Sequence, residues 1–181
     1  MRAFLAIEIP GEVKKYLKTV IKNIAPYTDG VRWVKEQGQH ITLKFFGEIG
    51  EDNAEKIREA VLPAAGKHRA FMVATGEISA FPDKRKARVI VVTLENGIDN
   101  IKDLFNDIEK NISLLGFEKE KRGFIPHITI GRRKMPAPLL EKAIIKLDRM
   151  EIPVNSVVLF KSTLTQEGAI YTPVWDIKLG G

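Results

Sequence analysis

Two of the three histidines in this chain open nearly identical tetrapeptides, His40-Ile41-Thr42-Leu43 and His127-Ile128-Thr129-Ile130, which lie 87 residues apart. Counted against that template, a histidine in a chain of this composition is followed by Ile, Thr and an aliphatic residue on the order of once in several hundred. The spacing has a physical reading. Side chains alternate between the faces of a strand, so His and Thr at i and i+2 share one side and the aliphatic residues share the other. Each tetrapeptide then buries two aliphatic side chains and presents an imidazole beside a hydroxyl. If the two strands face each other across a groove, the groove holds two imidazoles and two hydroxyls. In-line displacement at a phosphodiester needs a base on the entering oxygen, an acid on the leaving oxygen and donors on the nonbridging oxygens. Imidazoles titrating near 6.5 can fill both proton-transfer roles without a metal, one neutral and one protonated, and threonine hydroxyls supply donors.

Composition narrows the alternatives. The chain has 181 residues, 44% hydrophobic and 29% charged, which is ordinary globular composition and long enough for a substantial core. It has no cysteine, which removes disulfides, thiolate catalysis, cysteine-ligated zinc and iron–sulfur clusters. A net charge of +6 favours an anionic partner. The apolar opening, residues 1–10, is interrupted by Glu8 and Pro10, and no stretch reaches the roughly 18 apolar residues of a membrane span. The expectation is a cytoplasmic protein with no membrane association.

The elements that must position the tetrapeptides follow from periodicity. Residues 3–9 read as a buried strand, and 13–24 as an amphipathic helix with Val13, Leu17, Val20, Ile21 and Ile24 at three- and four-residue steps. Residues 31–34 and 40–46 read as strands, and 52–62 as a helix capped by Asp52 or Asn53. Residues 71–81 and 88–94 form a hairpin with a basic tip at 82–86. A helix over 98–115 ends at Gly116, a strand covers 124–130, a helix introduced by Pro138 covers 139–147, and strands cover 152–164 and 169–177 around a turn at 166–168. The fold class expected is α+β, with residues 1–181 as one compact bilobal domain and no linker between its lobes.

At this point the residues resemble a family. The paired His-x-Thr-x motifs are similar to those of the 2H phosphoesterase superfamily. The stretches 1–7 (MRAFLAI), 40–48 (HITLKFFGE), 126–132 (PHITIGR) and 161–165 (KSTLT) resemble its RNA 2',3'-cyclic phosphodiesterase branch, also called 2'-5' RNA ligases. The resemblance spans nearly the whole chain. It implies two pseudo-symmetric lobes, each an antiparallel sheet with helices, around a central active-site cleft. It further implies His40 as the acid protonating the departing ribose 3' oxygen and His127 as the base activating water, with a 2'-phosphomonoester product. Thr42 and Thr129 would bind the nonbridging oxygens and Arg132 would add charge at the phosphate. No metal or other cofactor is implied. The implied partner is RNA with a 2',3'-cyclic phosphate end, tRNA fragments included, and the protein is expected to be a monomer. Phe46 stands where the family often has Leu, a departure that touches nothing catalytic.

Other residues are weighed on their own. Lys44 and Tyr171 are further candidate RNA contacts. Phe45, Phe46 and Phe124 could stack on a base, although core packing suits phenylalanine better. His68, without a partner motif, reads as a solvated surface residue. Basic runs at 84–88, 119–122 and 132–134 are solvated faces or backbone contacts for RNA. A two-histidine metal site lacks an Asp or Glu at ligand spacing beside either motif. The competing functions are 2'-5' ligation by the reverse path, an RNA-end-binding module without turnover, and a phosphodiesterase for small cyclic nucleotides.

Overall fold

The computed structural model describes residues 1–166 and 168–180. Its sheet is built from strands β1 (Arg2–Glu8), β2 (Val31–Trp33), β3 (His40–Glu48), β4 (Phe71–Phe81), β5 (Ala87–Glu95), β6 (His127–Ala137), β7 (Glu151–Val154), β8 (Ser156–Thr165) and β9 (Gly168–Lys178). The helices are α1 (Gly11–Ile24), α2 (Glu51–Gly66) and α3 (Ile98–Ser113). The strand order is β7-β4-β5-β6-β3-β1-β8-β9, with β2 added on β6, and every pairing is antiparallel. This is the expected α+β class in two lobes. Each lobe, however, takes strands from both halves of the chain: β8 and β9 join β1, while the β4–β5 hairpin joins β6.

The lobes meet where β3 lies beside β6. The register there is the single pair Ile41 and Ile128, the central aliphatic residues of the two tetrapeptides. Both are fully buried. They enter the main core with Leu5 and Ile7 of β1, Val13 and Leu17 of α1, and Leu104 and Ile108 of α3, which the apolar stripes of the helices cover. β1 is buried on both faces. Ala3, Leu5 and Ile7 face that core, while Phe4 and Ala6 form a smaller cluster with Val158 and Phe160 on the other side of the sheet.

Several expectations need correction. Residues 139–147 do not form a helix. Leu139, Ala143 and Leu147 are buried, and their four-residue spacing imitates a helical stripe, but only a short 3-10 turn, Glu141–Ala143, forms. The backbone instead runs along β4, with the Ile78 N–H donating to the Ile145 carbonyl at 2.9 Å and the Leu147 N–H to that of Gly76 at 2.8 Å. β6 starts at His127, not at 124, and continues to Ala137; Phe124 stacks on Phe105 of α3 at 4.2 Å. Neither Asp52 nor Asn53 caps α2, which starts at Glu51 after an extended Gly50. His68 is partly buried, and its Nε2 lies 2.8 Å from Asp107 Oδ2, tying the end of α2 to α3. The basic hairpin tip forms as expected: the Asp83 carboxylate accepts the N–H groups of Arg85 and Lys86, and those bonds hold its pKa below the usual value. α3 ends at Ser113, two residues short of the expected 115, and Gly116, at φ 88°, closes the turn that follows it. Of the turn at 166–168, Glu167 lies outside the described residues. Among the described residues no helix is long and apolar enough to cross a membrane.

Candidate active site

β3 and β6 carry the tetrapeptides with the alternation their sequences require. Ile41, Leu43, Ile128 and Ile130 are buried, whereas His40, Thr42, His127 and Thr129 are half-exposed on the opposite face. Because the strands are antiparallel and in register at Ile41 and Ile128, the residues flanking that pair lie together. The strands are therefore neighbours, and the histidines meet on one continuous surface instead of facing across a gap between separate sheets.

A second feature is not visible in the alternation. β1 pairs Leu5 with Lys44 and Ala6 with Thr42, leaving Leu43 as an extra residue on β3. β5 pairs Ile90 with Gly131 and Val91 with Thr129, leaving Ile130 extra on β6. Each motif thus has a β-bulge directly after its threonine, and the bulge exchanges the two faces from that point. Lys44 and Gly131 turn inward, while Phe45 and Arg132 turn toward the histidines.

This corrects the reading of Lys44 as an RNA contact. Lys44 is 4% exposed, and its Nζ donates to both Glu109 carboxylate oxygens, at 2.9 and 3.1 Å, and to the Glu118 carbonyl at 2.8 Å. Glu109 Oε1 also accepts the Glu120 N–H at 2.9 Å, so this ion pair binds β3, α3 and the segment leading to His127. At the equivalent place on β6 only glycine fits, because a Cβ on Gly131 would come within 2.6 Å of Val31 and 3.0 Å of Trp33 on β2. Arg133, next along, is buried and donates to the carbonyls of Asp29, Ala137 and Pro138, which anchors the end of the strand.

The cleft on this face has a volume of about 420 Å³ and is lined by His40, Thr42, Thr129, Arg132, Phe45 and Tyr171 among others. His40 stacks on Phe4, with ring centroids 4.7 Å apart, and meets the edge of Tyr171 at 5.5 Å. Burial, followed by the charges of Lys14, Arg132 and His127, lowers its pKa from 6.5 to about 4. His127 Nδ1 lies 2.7 Å from the Ile125 carbonyl oxygen, and the ring meets Phe81 edge-on at 4.9 Å. A carbonyl only accepts, so Nδ1 carries the proton and Nε2 of the neutral ring bears the lone pair. The pKa of His127 is also lowered, mainly by burial and against the bond to Ile125. Among the described residues, the hydroxyls of Thr42 and Thr129 have no protein hydrogen-bond partner and Arg132 has no acidic one. Both hydroxyls and the guanidinium are therefore available to a ligand.

Of the stacking candidates, Phe45 is 59% exposed in the cleft and Tyr171 lines it, whereas Phe46 packs on Phe117 and Phe124 on Phe105. Sequence reasoning missed Phe4, Lys14 and Arg2. Phe4 forms the face on which His40 rests, and Arg2 lines the cleft two residues earlier on the same face of β1. Their i, i+2 spacing was a signal that they share a face, but not which face. Lys14, half-buried on α1, has no sequence signal linking it to His40. Among the described residues, no group of three or more His, Asp or Glu is placed to hold a metal ion.

Comparisons with known proteins agree with this architecture. A family profile described as "LigT like Phosphoesterase" matches twice, at residues 7–91 and 92–171, one match for each tetrapeptide. A Thermotoga maritima protein named RNA 2',3'-cyclic phosphodiesterase is 32% identical over 183 residues, covering 100% of this chain and 97% of the relative. A protein of the same name from Methanocaldococcus jannaschii is 34% identical over 176 residues, covering 94% and 96%. Among solved structures, a Thermus thermophilus protein superimposes with a TM-score of 0.86 at 26% identity, covering 100% of this chain and 99% of the other. The fold is also that of E. coli LigT complexed with 3'-AMP, at a TM-score of 0.77 and 21% identity, covering 99% and 98%.

Proposed function

The chain belongs to the LigT-like phosphoesterase family, a family of phosphoester-cleaving enzymes, and from that premise we propose that it hydrolyses RNA 2',3'-cyclic phosphate ends to 2'-phosphomonoesters. The observation that carries the proposal is the shared face of β3 and β6, where two histidines lie beside two threonine hydroxyls and an arginine that, among the described residues, have no hydrogen-bond partner and no counter-ion respectively.

The roles follow from the surroundings of each ring. His127, with Nδ1–H held by the Ile125 carbonyl, presents Nε2 as a base. It takes a proton from water as the water oxygen bonds to phosphorus. The P–O3' bond breaks on the opposite side, and His40 gives its proton to O3'. Thr42, Thr129 and Arg132 donate to the nonbridging oxygens, where negative charge accumulates. In the free protein His40 is neutral at pH 7, because its pKa is about 4. An anionic phosphate beside the ring stabilises the imidazolium against the burial, and the charges of Lys14, Arg132 and His127, that keep the proton away, so substrate binding itself arms the acid. The chemistry uses no metal or nucleotide. By microscopic reversibility, a 5'-hydroxyl RNA in place of water would form a 2'-5' bond through the same two residues.

Product analysis on a short end-labelled RNA with a 2',3'-cyclic phosphate, with and without a chelator and a 5'-hydroxyl RNA, tests this proposal. The expected result is a 2'-phosphate end at a rate insensitive to the chelator. A 3'-phosphate product, or activity abolished by chelation and restored by a metal, would refute the mechanism.

A further inference from the structure

The cleft continues beyond His40 to a second group of phosphate-seeking donors. Arg2 pairs across the sheet with Ser162 of β8, and Ser162 pairs with Tyr171 of β9, whose ring turns back toward Phe4 and His40, at 4.9 and 5.5 Å between ring centroids. All three line the same cavity as His40, Thr42 and Thr129. The next row inward is aromatic: Phe4 pairs with Phe45 on one side and Phe160 on the other. The row after that brings Ala6 opposite Thr42. Arg2 and Ala6 are four residues apart on β1, roughly 13 Å along the strand. One cavity therefore has phosphate donors at both ends and an aromatic floor between them.

The charge of Arg2 is uncompensated. It is exposed and, among the described residues, makes no hydrogen bond or ion pair. The carboxylate opposite it, Glu48, is 3.4 Å from the ammonium of Met1. The Ser162 hydroxyl likewise has no protein partner among the described residues.

We propose that Arg2, with Ser162, forms a second phosphate subsite that holds the phosphodiester on the 5' side of the terminal nucleoside. This rests on the cyclic phosphodiesterase reading and deepens it. With the cyclic phosphate between His40 and His127, the terminal nucleoside lies over Phe45, which is 59% exposed, and the only other phosphate within reach is the one leading into the RNA. An arginine with a neighbouring hydroxyl suits such an anion, which is recognised by charge and not by base. The cleft is thus built for an oligonucleotide end, and a free cyclic mononucleotide fills only half of it.

The test compares kcat/KM for a nucleoside 2',3'-cyclic phosphate with that for the dinucleotide ending in the same group, in the wild-type protein, Arg2→Met and Ser162→Ala. A charge-assisted contact to one phosphate predicts that the dinucleotide-to-mononucleotide ratio falls roughly 10- to 100-fold in Arg2→Met. Replacing the internal phosphate by a neutral methylphosphonate should cause a similar loss in the wild type and no further loss in Arg2→Met. That cycle separates a lost contact from a distorted strand. An unchanged ratio, or a methylphosphonate penalty that persists in full in the variant, overturns the subsite while leaving the phosphodiesterase reading intact. No turnover of either substrate by the wild type overturns that reading and the subsite with it.

Discussion

The depressed pKa of His40 makes a prediction about pH that runs against intuition for a histidine acid. In the proposed mechanism the productive pair has His40 protonated and His127 neutral, one proton in total. In the free protein His40 titrates at about 4 and His127 below 6.5, so the single proton shared by the pair mostly sits on the wrong ring. Because kcat/KM compares the transition state with free enzyme, it should be flat from about pH 4 to the pKa of His127 and then fall roughly tenfold per pH unit. At pH 7.5 it should already be at least about tenfold below its plateau. Keeping a proton on His40 at pH 7.5 requires about 5 kcal/mol, three and a half pH units at 1.36 kcal/mol each, and the bound phosphate must supply it. The parameter kcat, which refers to the bound complex, should therefore keep its alkaline limb at higher pH than kcat/KM. Steady-state kinetics on a cyclic mononucleotide from pH 4 to 9, at constant ionic strength, measure both limbs. A kcat/KM limb at pH 8 or above, or two limbs that coincide, would refute the claim that burial and cationic neighbours hold His40 neutral until substrate arrives.

Three further outcomes follow from the same contacts. His40→Ala and His127→Ala should each lower kcat by roughly 10²- to 10⁴-fold on an RNA cyclic phosphate, with unchanged circular dichroism. Glu109→Gln leaves Lys44 as a buried, uncompensated cation, so chemical denaturation should show a loss of about 3 kcal/mol or more, whereas the double variant Lys44→Met/Glu109→Leu should lose much less. Stability should also depend on His40. Its folded pKa is below its unfolded one, so the unfolded chain binds more protons between pH 6.5 and 4, and stability present above pH 6.5 is lost as pH falls. The loss amounts to about 3 kcal/mol by pH 4 and should be absent in His40→Ala when urea denaturation is compared at the two pH values.

The sequence made the site legible because its signal is local. A His-x-Thr alternation needs only the geometry of an extended chain, and each tetrapeptide states which of its residues are buried. What escaped was set by partners far away in sequence. The bulges after Thr42 and Thr129 arise from the pairing of β3 with β1 and of β6 with β5, so nothing near Lys44 announces that it turns inward to Glu109 on α3. His68 looked solitary because Asp107 lies 39 residues on. Residues 139–147 carried a true burial pattern, yet hydrogen bonds to β4 decided the backbone, and periodicity is silent about those. The two lobes were readable from the repeated motif, while the exchange of strands between the two halves was not.

The assignment of His40 as acid and His127 as base is tested most directly by changing the leaving group. In a ribonucleoside 2',3'-cyclic phosphate whose bridging 3' oxygen is replaced by sulfur, the leaving group is a thiolate with a conjugate-acid pKa of about 8.5, which departs without protonation. His40→Ala should then recover most of the wild-type rate on the sulfur substrate, and His127→Ala should remain deficient. Recovery by His127→Ala instead, or equal deficiency of both variants on both substrates, would contradict it.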